Sequence, residues 1–156
     1  HSDINQSMLE EGQKKIIDHG LIIPSMLINA EQIPFPDNSF NVVSIGFGLR
    51  NMTNKQSVLN EVFRCLKPGG QIVILEFSKI HSSLEKIYDL FSFKIIPKIG
   101  KQIANDEKSY QYLAESIRMH PDQETLLHML NEAGFCKTSY TNLSAGVVAV
   151  HSGYKS

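Results

Sequence analysis

Residues 71–77, QIVILEF, are nearly unbroken in apolar character. A strand of that kind is buried on both faces, as a parallel sheet covered by helices requires. The residues ahead of it agree with such a sheet. Asn54 is placed to cap a helix whose apolar positions, Val58, Leu59, Val62, Phe63 and Leu66, recur at i, i+1, i+4, i+5 and i+8 and form one buried face. Lys67 falls in the last turn of that helix, and Pro68-Gly69-Gly70 ends it. Further upstream, NVVSIGFG from Asn41 is a β-branched run of strand length that ends in glycines.

The flanking segments extend the pattern. Asn5 or Ser7 caps a helix from about Met8 to His19, which Gly20 stops. MLIN at 26–29 reads as a short strand. The loop AEQIPFPDNSF follows, and Pro34, Pro36 and the Asp-Asn-Ser cluster exclude regular structure from it. Residues 83–105 read as helical but irregular, broken by Pro97 and Gly100. One helix fits 107–118. Another fits 122–133, presenting Leu126, Leu127, Met129 and Leu130 and ending at Gly134. CKTSYTN and GVVAVHSGY are closing strands separated only by Leu143, Ser144 and Ala145. That is too short for a parallel crossover, so the pair is predicted to be an antiparallel hairpin at the edge of the sheet. The order predicts an α/β fold: an open, doubly wound, mostly parallel sheet with a C-terminal antiparallel hairpin.

The totals restrict function. A chain of 156 residues suffices for a single domain, 1–156, and 42% apolar with 20% charged residues is a globular composition. Fifteen basic and 16 acidic side chains leave a net charge of −1. That balance gives no basic stripe, and nucleic acid is not an expected partner. GLIIPSMLIN is too short to cross a bilayer, and no signal-peptide pattern precedes it. Cys65 and Cys136 lack metal-ligand spacing and read as buried free thiols in a reducing compartment.

The opening stretch, HSDINQSML, sets a problem. Asp3 stands directly before a helix start. In doubly wound folds an acid at that position closes a strand and accepts ribose hydroxyls. The plainer reading is a helix cap or dipole partner. The nearest internal match to a glycine turn, Gly46-Phe47-Gly48, lacks a third glycine and follows a different strand, so it reads as a loop.

SDINQSML, NAEQIPFPDNSF, GFGLRN, LKPGG, LEFSK, YLAESIRMHPDQ and AGVVAVHSGYK together span Asp3 to Lys155. In these segments the chain resembles the class I S-adenosylmethionine-dependent methyltransferases. Within them it is most similar to the ubiquinone/menaquinone biosynthesis C-methyltransferase family, which methylates demethylmenaquinone or 2-polyprenyl-6-methoxy-1,4-benzoquinol. LKPGG is general to such enzymes, whereas SIRMHPDQ with GFGLRN points to that branch. The resemblance implies a Rossmann-like fold with S-adenosyl-L-methionine as cofactor. It also implies N-terminal helices, a first strand and a glycine-rich turn upstream of Asp3. The sequence is then expected to be the C-terminal part of a domain, N-terminally truncated, with two sheet edges left unpaired.

Methyl transfer from a sulfonium asks the protein to align donor and acceptor, exclude water and raise the nucleophilicity of the acceptor carbon. On a quinol ring, loss of the neighbouring hydroxyl proton does the last of these, so a base or a positioned water is needed. The resemblance implies that Asp3 holds the ribose and that Asn29 and Ala30 lie against the adenine. It places Gly46 at the cofactor cleft through its backbone, where many relatives carry serine. It implies catalytic roles for Arg50 and Asn51, in a loop beyond a carboxyl strand end. Arginine stays protonated, so Arg50 suits stabilising a phenolate or orienting a water better than acting as a base. The plainer reading of Arg50 is a brace paired with an acid such as Glu76. His120 is a proton-transfer candidate whose plainer reading is a structural hydrogen bonder at a helix junction. His19, His81, His128 and His151 show no paired spacing, and no metal site is expected.

Phe91, Phe93, Ile95, Ile96 and Ile99, interleaved with Lys94, Lys98 and Lys101, suit either ordinary core or a tunnel or membrane-facing lid for a prenyl tail. The implied partners are a lipophilic prenylated quinol substrate, a peripheral membrane contact, and a homodimer or association with other quinone-biosynthesis proteins. The implied location is the cytoplasm or the inner-membrane surface. Other readings remain open: a non-catalytic fragment keeping the substrate half, another small-molecule methyltransferase, or a nicotinamide dehydrogenase. LKPGG and GFGLRN argue against the dehydrogenase.

Overall fold

The structure, a computed structural model, describes residues 1–79 and 107–156. The irregular helical stretch expected over 83–105, the apolar run Phe91 to Ile99 with its lysines, and His81 lie outside the described residues. Strand β1 (Ser2–Asp3) leads into helix α1 (Gln6–Asp18), and β2 (Met26–Leu27) follows. Then come β3 (Phe40–Gly46), a 3-10 turn at Leu49–Asn51, α2 (Lys55–Cys65) and β4 (Leu66–Phe77). The remainder is α3 (Glu107–Met119), α4 (Gln123–Glu132), β5 (Cys136–Leu143) and β6 (Val148–Tyr154).

The helix starts follow the asparagine and aspartate signals. Asn5 Oδ1 accepts from Met8 N at 3.2 Å, Asn54 Oδ1 from Ser57 N at 3.0 Å, and Asp122 Oδ1 from Thr125 N at 2.8 Å. Each satisfies an otherwise orphaned amide of a first turn. Two boundaries differ from expectation. Helix α2 stops at Cys65, so Arg64 and not Lys67 lies in its last turn. Pro68 disfavours helical backbone at Lys67, and Leu66 turns extended, at φ −75° and ψ 143°, to pair with Phe40. LKPGG is therefore the irregular first part of β4. Strand β2 covers Met26–Leu27 only, because the Asn29 side chain starts a turn by accepting from Glu31 N at 3.0 Å.

The main sheet has the order β3-β4-β6-β5. β3 and β4 are parallel, with Val42 opposite Gln71 and Gly46 opposite Leu75. β6 runs antiparallel to both β4 and β5. The terminal hairpin is thus antiparallel and at one end of the sheet as expected, with β6 docked on β4 and β5 as its outer strand. The apolar Val148, Ala149 and Val150 take the inner place, and the polar strand CKTSYTN faces outward. β1 and β2 pair in parallel as a separate two-stranded sheet, Ser2 opposite Met26 and Asp3 opposite Leu27.

One face of the main sheet carries the core. Ile72 and Ile74 of β4 pack with Val58, Leu59 and Val62 of α2, Leu126 and Leu130 of α4, and Leu49, Leu66 and Phe135. Each such aliphatic side chain contributes about 1.5–3 kcal/mol when fully buried. The opposite face is less covered: Val73, Leu75 and Phe77 are half-buried, so β4 is sealed on one side only among the described residues. The loop over 31–39 is pinned by Arg64. Its guanidinium bonds Glu61, Asp37 and the carbonyls of Ile33 and Phe35, all within 2.8–3.0 Å. Cys65 is buried, whereas Cys136 is only partly so; both are free thiols.

Candidate functional site

The sequence-predicted residues fall at carboxyl ends of strands, where open α/β sheets place their ligands. Asp3 is the last residue of β1. Its Oδ1 accepts from Asn5 N at 2.8 Å, which fixes the carboxyl group ahead of α1. The cap on Met8 N belongs to Asn5, so Asp3 is not the helix cap proper. Asn29 and Ala30 follow β2; Asn29 is exposed, and Ala30 packs against the edge of the core. Gly46 ends β3, and a Cβ built on it would meet no atom within 4 Å. That position opens onto free space.

Arg50 and Asn51 sit in the 3-10 turn just beyond Gly46. Glu76, at the end of the adjacent β4 and 1% exposed, accepts from Arg50 Nη1 at 2.9 Å and from Arg50 N at 3.1 Å. It also accepts from Phe77 N at 2.9 Å. Arg50 Nη1 donates in addition to the carbonyl of Phe47. The bracing pair that the sequence suggested therefore exists. Phe77 and Phe47 flank the guanidinium, their ring centroids 5.3 and 6.0 Å from its carbon. Asn51 Oδ1 accepts from the hydroxyl of Tyr112 on α3 at 3.2 Å.

Three participants escaped the sequence reading. Phe47 adopts φ +52°, a left-handed conformation uncommon for an aromatic residue, and its N–H bonds Leu75 O at 2.8 Å. Its place between two glycines was the available signal. Tyr112 lies 61 residues from Asn51, and no local pattern marks that contact. Gln123 ties three elements together: its Nε2 donates to Lys79 O and Asn142 Oδ1, both at 2.9 Å, and its carbonyl lies 3.0 Å from His151 Nε2.

His120 is 4% exposed. Burial holds its pKa down at about 4, with the nearby charges of Lys55, His151 and Arg50 adding to the effect. Its Nδ1 makes no hydrogen bond, so the structural hydrogen bonder imagined from sequence has no partner on that atom. His151 is likewise pushed down by burial. Among the described residues, no helix is long and apolar enough to cross a membrane.

Three comparisons place this geometry. A family model described as the ubiE/COQ5 methyltransferase family matches residues 1–155. The ubiquinone/menaquinone biosynthesis C-methyltransferase UbiE of Laribacter hongkongensis is 58% identical over 154 residues, covering 99% of this chain and 63% of its own length. The chain thus spans less than two thirds of that curated relative. Among solved structures, the cyclase SpnF superposes with a TM-score of 0.70 at 16% identity, covering 99% of this chain and 64% of its own. A SAM-dependent methyltransferase of Thermotoga maritima gives 0.68 at 21% identity, with 99% and 72% covered. At those identities the two structures establish the fold, which is Rossmann-like.

Proposed function

The chain belongs to the ubiE/COQ5 methyltransferase family, and we propose that the protein it comes from transfers a methyl group from S-adenosyl-L-methionine to a ring carbon of a prenylated benzoquinol or naphthoquinol, in ubiquinone or menaquinone biosynthesis. The observation that carries this reading is the 58% identity over 99% of the chain to a curated enzyme of that name. The geometry supports it. Asp3, Asn29 with Ala30, and Gly46 each stand at or just beyond the carboxyl end of a strand, and Gly46 opens onto free space.

In this reading Asp3 binds the ribose, Asn29 and Ala30 face the adenine, and the backbone of Gly46 lines the cleft. The sulfonium supplies an activated methyl group. The protein supplies alignment and a place for the acceptor's proton. Arg50 acts as a set of fixed donors and not as a net cation, since Glu76 offsets its charge. Asn51, its oxygen held by Tyr112, presents its amide N–H groups to the acceptor oxygen or to a water beside it.

Residues 1–156 belong to a single methyltransferase domain whose upstream segment adds the strand between β1 and β3. The separation of the two sheets and the 63% coverage support that arrangement. The protein works in the cytoplasm, at the surface of the inner membrane where its lipophilic substrate resides, as a homodimer or with other quinone-biosynthesis proteins. The test is to incubate the full-length gene product with the methyl donor and each quinol in turn. Methylation of neither would refute the reading.

A further inference from the structure

The Leu49–Asn51 turn holds two polar side chains in different surroundings. Arg50 is drawn inward: its guanidinium bonds Glu76 and the carbonyl of Phe47, and only 12% of its side chain is exposed. Asn51 is exposed, and its side chain is tied to α3, where the Tyr112 hydroxyl donates to Oδ1 at 3.2 Å. Helix α3 buries Ala114 and Ser116, and His120 directly after it is buried as well. Tyr112 stands one turn before Ser116, on the flank of that inward face, and is 59% exposed.

The donors and acceptors of this pair decide what it can bind. A phenol has one O–H, and that of Tyr112 is engaged by Asn51, so its oxygen has only lone pairs to offer. An asparagine amide has one oxygen and one NH2. With the oxygen taken by Tyr112, Asn51 offers N–H. Neither Asn51 Nδ2 nor the Tyr112 oxygen, as an acceptor, has another partner among the described residues. The pair thus sets an acceptor and a donor side by side, beyond Gly46 at the carboxyl end of β3. A hydroxyl group answers both at once, since it donates one hydrogen bond and accepts others. A carbonyl oxygen answers only the N–H and leaves the tyrosine oxygen facing another lone pair.

We propose that Asn51 and Tyr112 together grip the hydroxyl beside the reacting carbon, and that Tyr112 makes the site selective for the reduced ring over the oxidised one. This rests on the function proposed above. A quinol carries the O–H that the Tyr112 oxygen accepts; the matching quinone carries a carbonyl at the same place. The preference has a chemical use. Only the reduced ring is nucleophilic enough to take a methyl group from the sulfonium, and a quinone held there occupies the site without reacting. The two oxidation states differ little in shape, so a pocket wall alone separates them poorly, whereas a polar group left unpaired by the wrong ligand separates them well. Tyr112 is the specificity-determining residue of the pair, and Asn51 is its anchor.

The test is equilibrium binding to the full-length protein loaded with S-adenosylhomocysteine, under anaerobic conditions. The ligands are a prenylated quinol that the protein methylates and the matching quinone. The wild type is predicted to hold the quinol ~10-fold or more tightly than the quinone, the weight of one hydrogen bond against an unpaired acceptor. Tyr112→Phe removes one oxygen from an exposed side chain. It is predicted to close that gap to about threefold or less, at unchanged S-adenosylhomocysteine affinity and with thermal melting as the folding control. A gap of the same size in wild type and variant, or an equal loss for both ligands, would overturn the proposal, as would a wild type that binds the two alike. Should Tyr112→Phe not fold, Tyr112→Leu carries the same predictions. A wild type that methylates the quinol but fails the binding comparison removes the role of Tyr112 alone, whereas a wild type that methylates no quinol removes the proposed function and this role with it.

Discussion

At the scale of single residues, the Arg50–Glu76 pair joins a buried carboxylate to the residue proposed to act on the acceptor. Glu76 is 1% exposed and its charge is compensated by Arg50. Arg50→Ala leaves a buried carboxylate without its cation, and breaking such a pair costs about 3–5 kcal/mol. Chemical denaturation should show that loss, and kinetics should show kcat falling more than cofactor affinity. A variant that binds cofactor poorly but keeps its kcat would count against the role given to Arg50. Asp3→Asn preserves the acceptor for Asn5 N while removing the charge. It should weaken S-adenosylhomocysteine binding by ~10-fold or more, the weight of a hydrogen bond to a charged group, with a smaller change in kcat. His120 adds a pH effect. Its folded pKa is depressed to about 4 while the unfolded chain titrates near 6.5. Between those values the unfolded state binds the extra proton, so stability falls as pH drops from 6.5 toward 4. Urea midpoints across that range should flatten in His120→Gln.

At the scale of elements, the loop over 31–39 depends on one clamp. Arg64 holds Glu61 and Asp37, and Glu61 in turn accepts from Ile33 N at 2.9 Å. The hydrogen bond from Arg64 draws the Glu61 pKa below its usual 4.5. A depressed carboxylate contributes stability above its unfolded pKa and loses it as pH falls through the folded value. Glu61→Gln should therefore be less stable than wild type at neutral pH, with the gap closing in acid. Gly134, which ends α4 at φ +100°, leaves 3.0 Å between a built Cβ and the ring of Phe63. Gly134→Ala meets both strain and contact and should lower stability by about 1–3 kcal/mol. These elements differ in how far the sequence announced them. Asn5, Asn54 and Asp122 were readable because each cap precedes an amphipathic run. The start of β4 was not: Pro68-Gly69-Gly70 has turn chemistry, and only the pairing of Leu66 with Phe40 makes it strand. The hairpin was legible from its short connection, but which strand docks on β4 is a long-range choice. The apolar character of Val148, Ala149 and Val150 beside Lys137 and Ser139 was the unused clue. For the candidate site, motifs pointed to Arg50, Asn51 and Asp3, while the hydrogen bond of Tyr112 to Asn51 became visible only when folding brought α3 to the turn.

At the scale of the whole molecule, the two sheets differ in how well they are covered. The β4 core face is sealed, but the part built from β1, α1 and β2 exposes Ile4, Met8, Ile17, Ile22, Met26 and Leu27, with Ile22 99% exposed. Val42 and Phe47 of the β3 region are exposed as well. Apolar side chains gathered in this way are covered by further structure in a stable protein, and the chain spans 63% of its UbiE relative. Residues 1–156 alone should then show no S-adenosylhomocysteine binding at millimolar concentration by calorimetry, while the full-length protein binds. Equal affinity of the two would show that the described strand ends suffice. The central claim is carbon methylation of a quinol ring. Its most direct test is to supply the full-length protein with methyl-13C-labelled S-adenosylmethionine and a prenylated benzoquinol or naphthoquinol, then locate the label by NMR. The label is predicted on a ring carbon; label on an oxygen, or no labelled quinol at all, would contradict the claim.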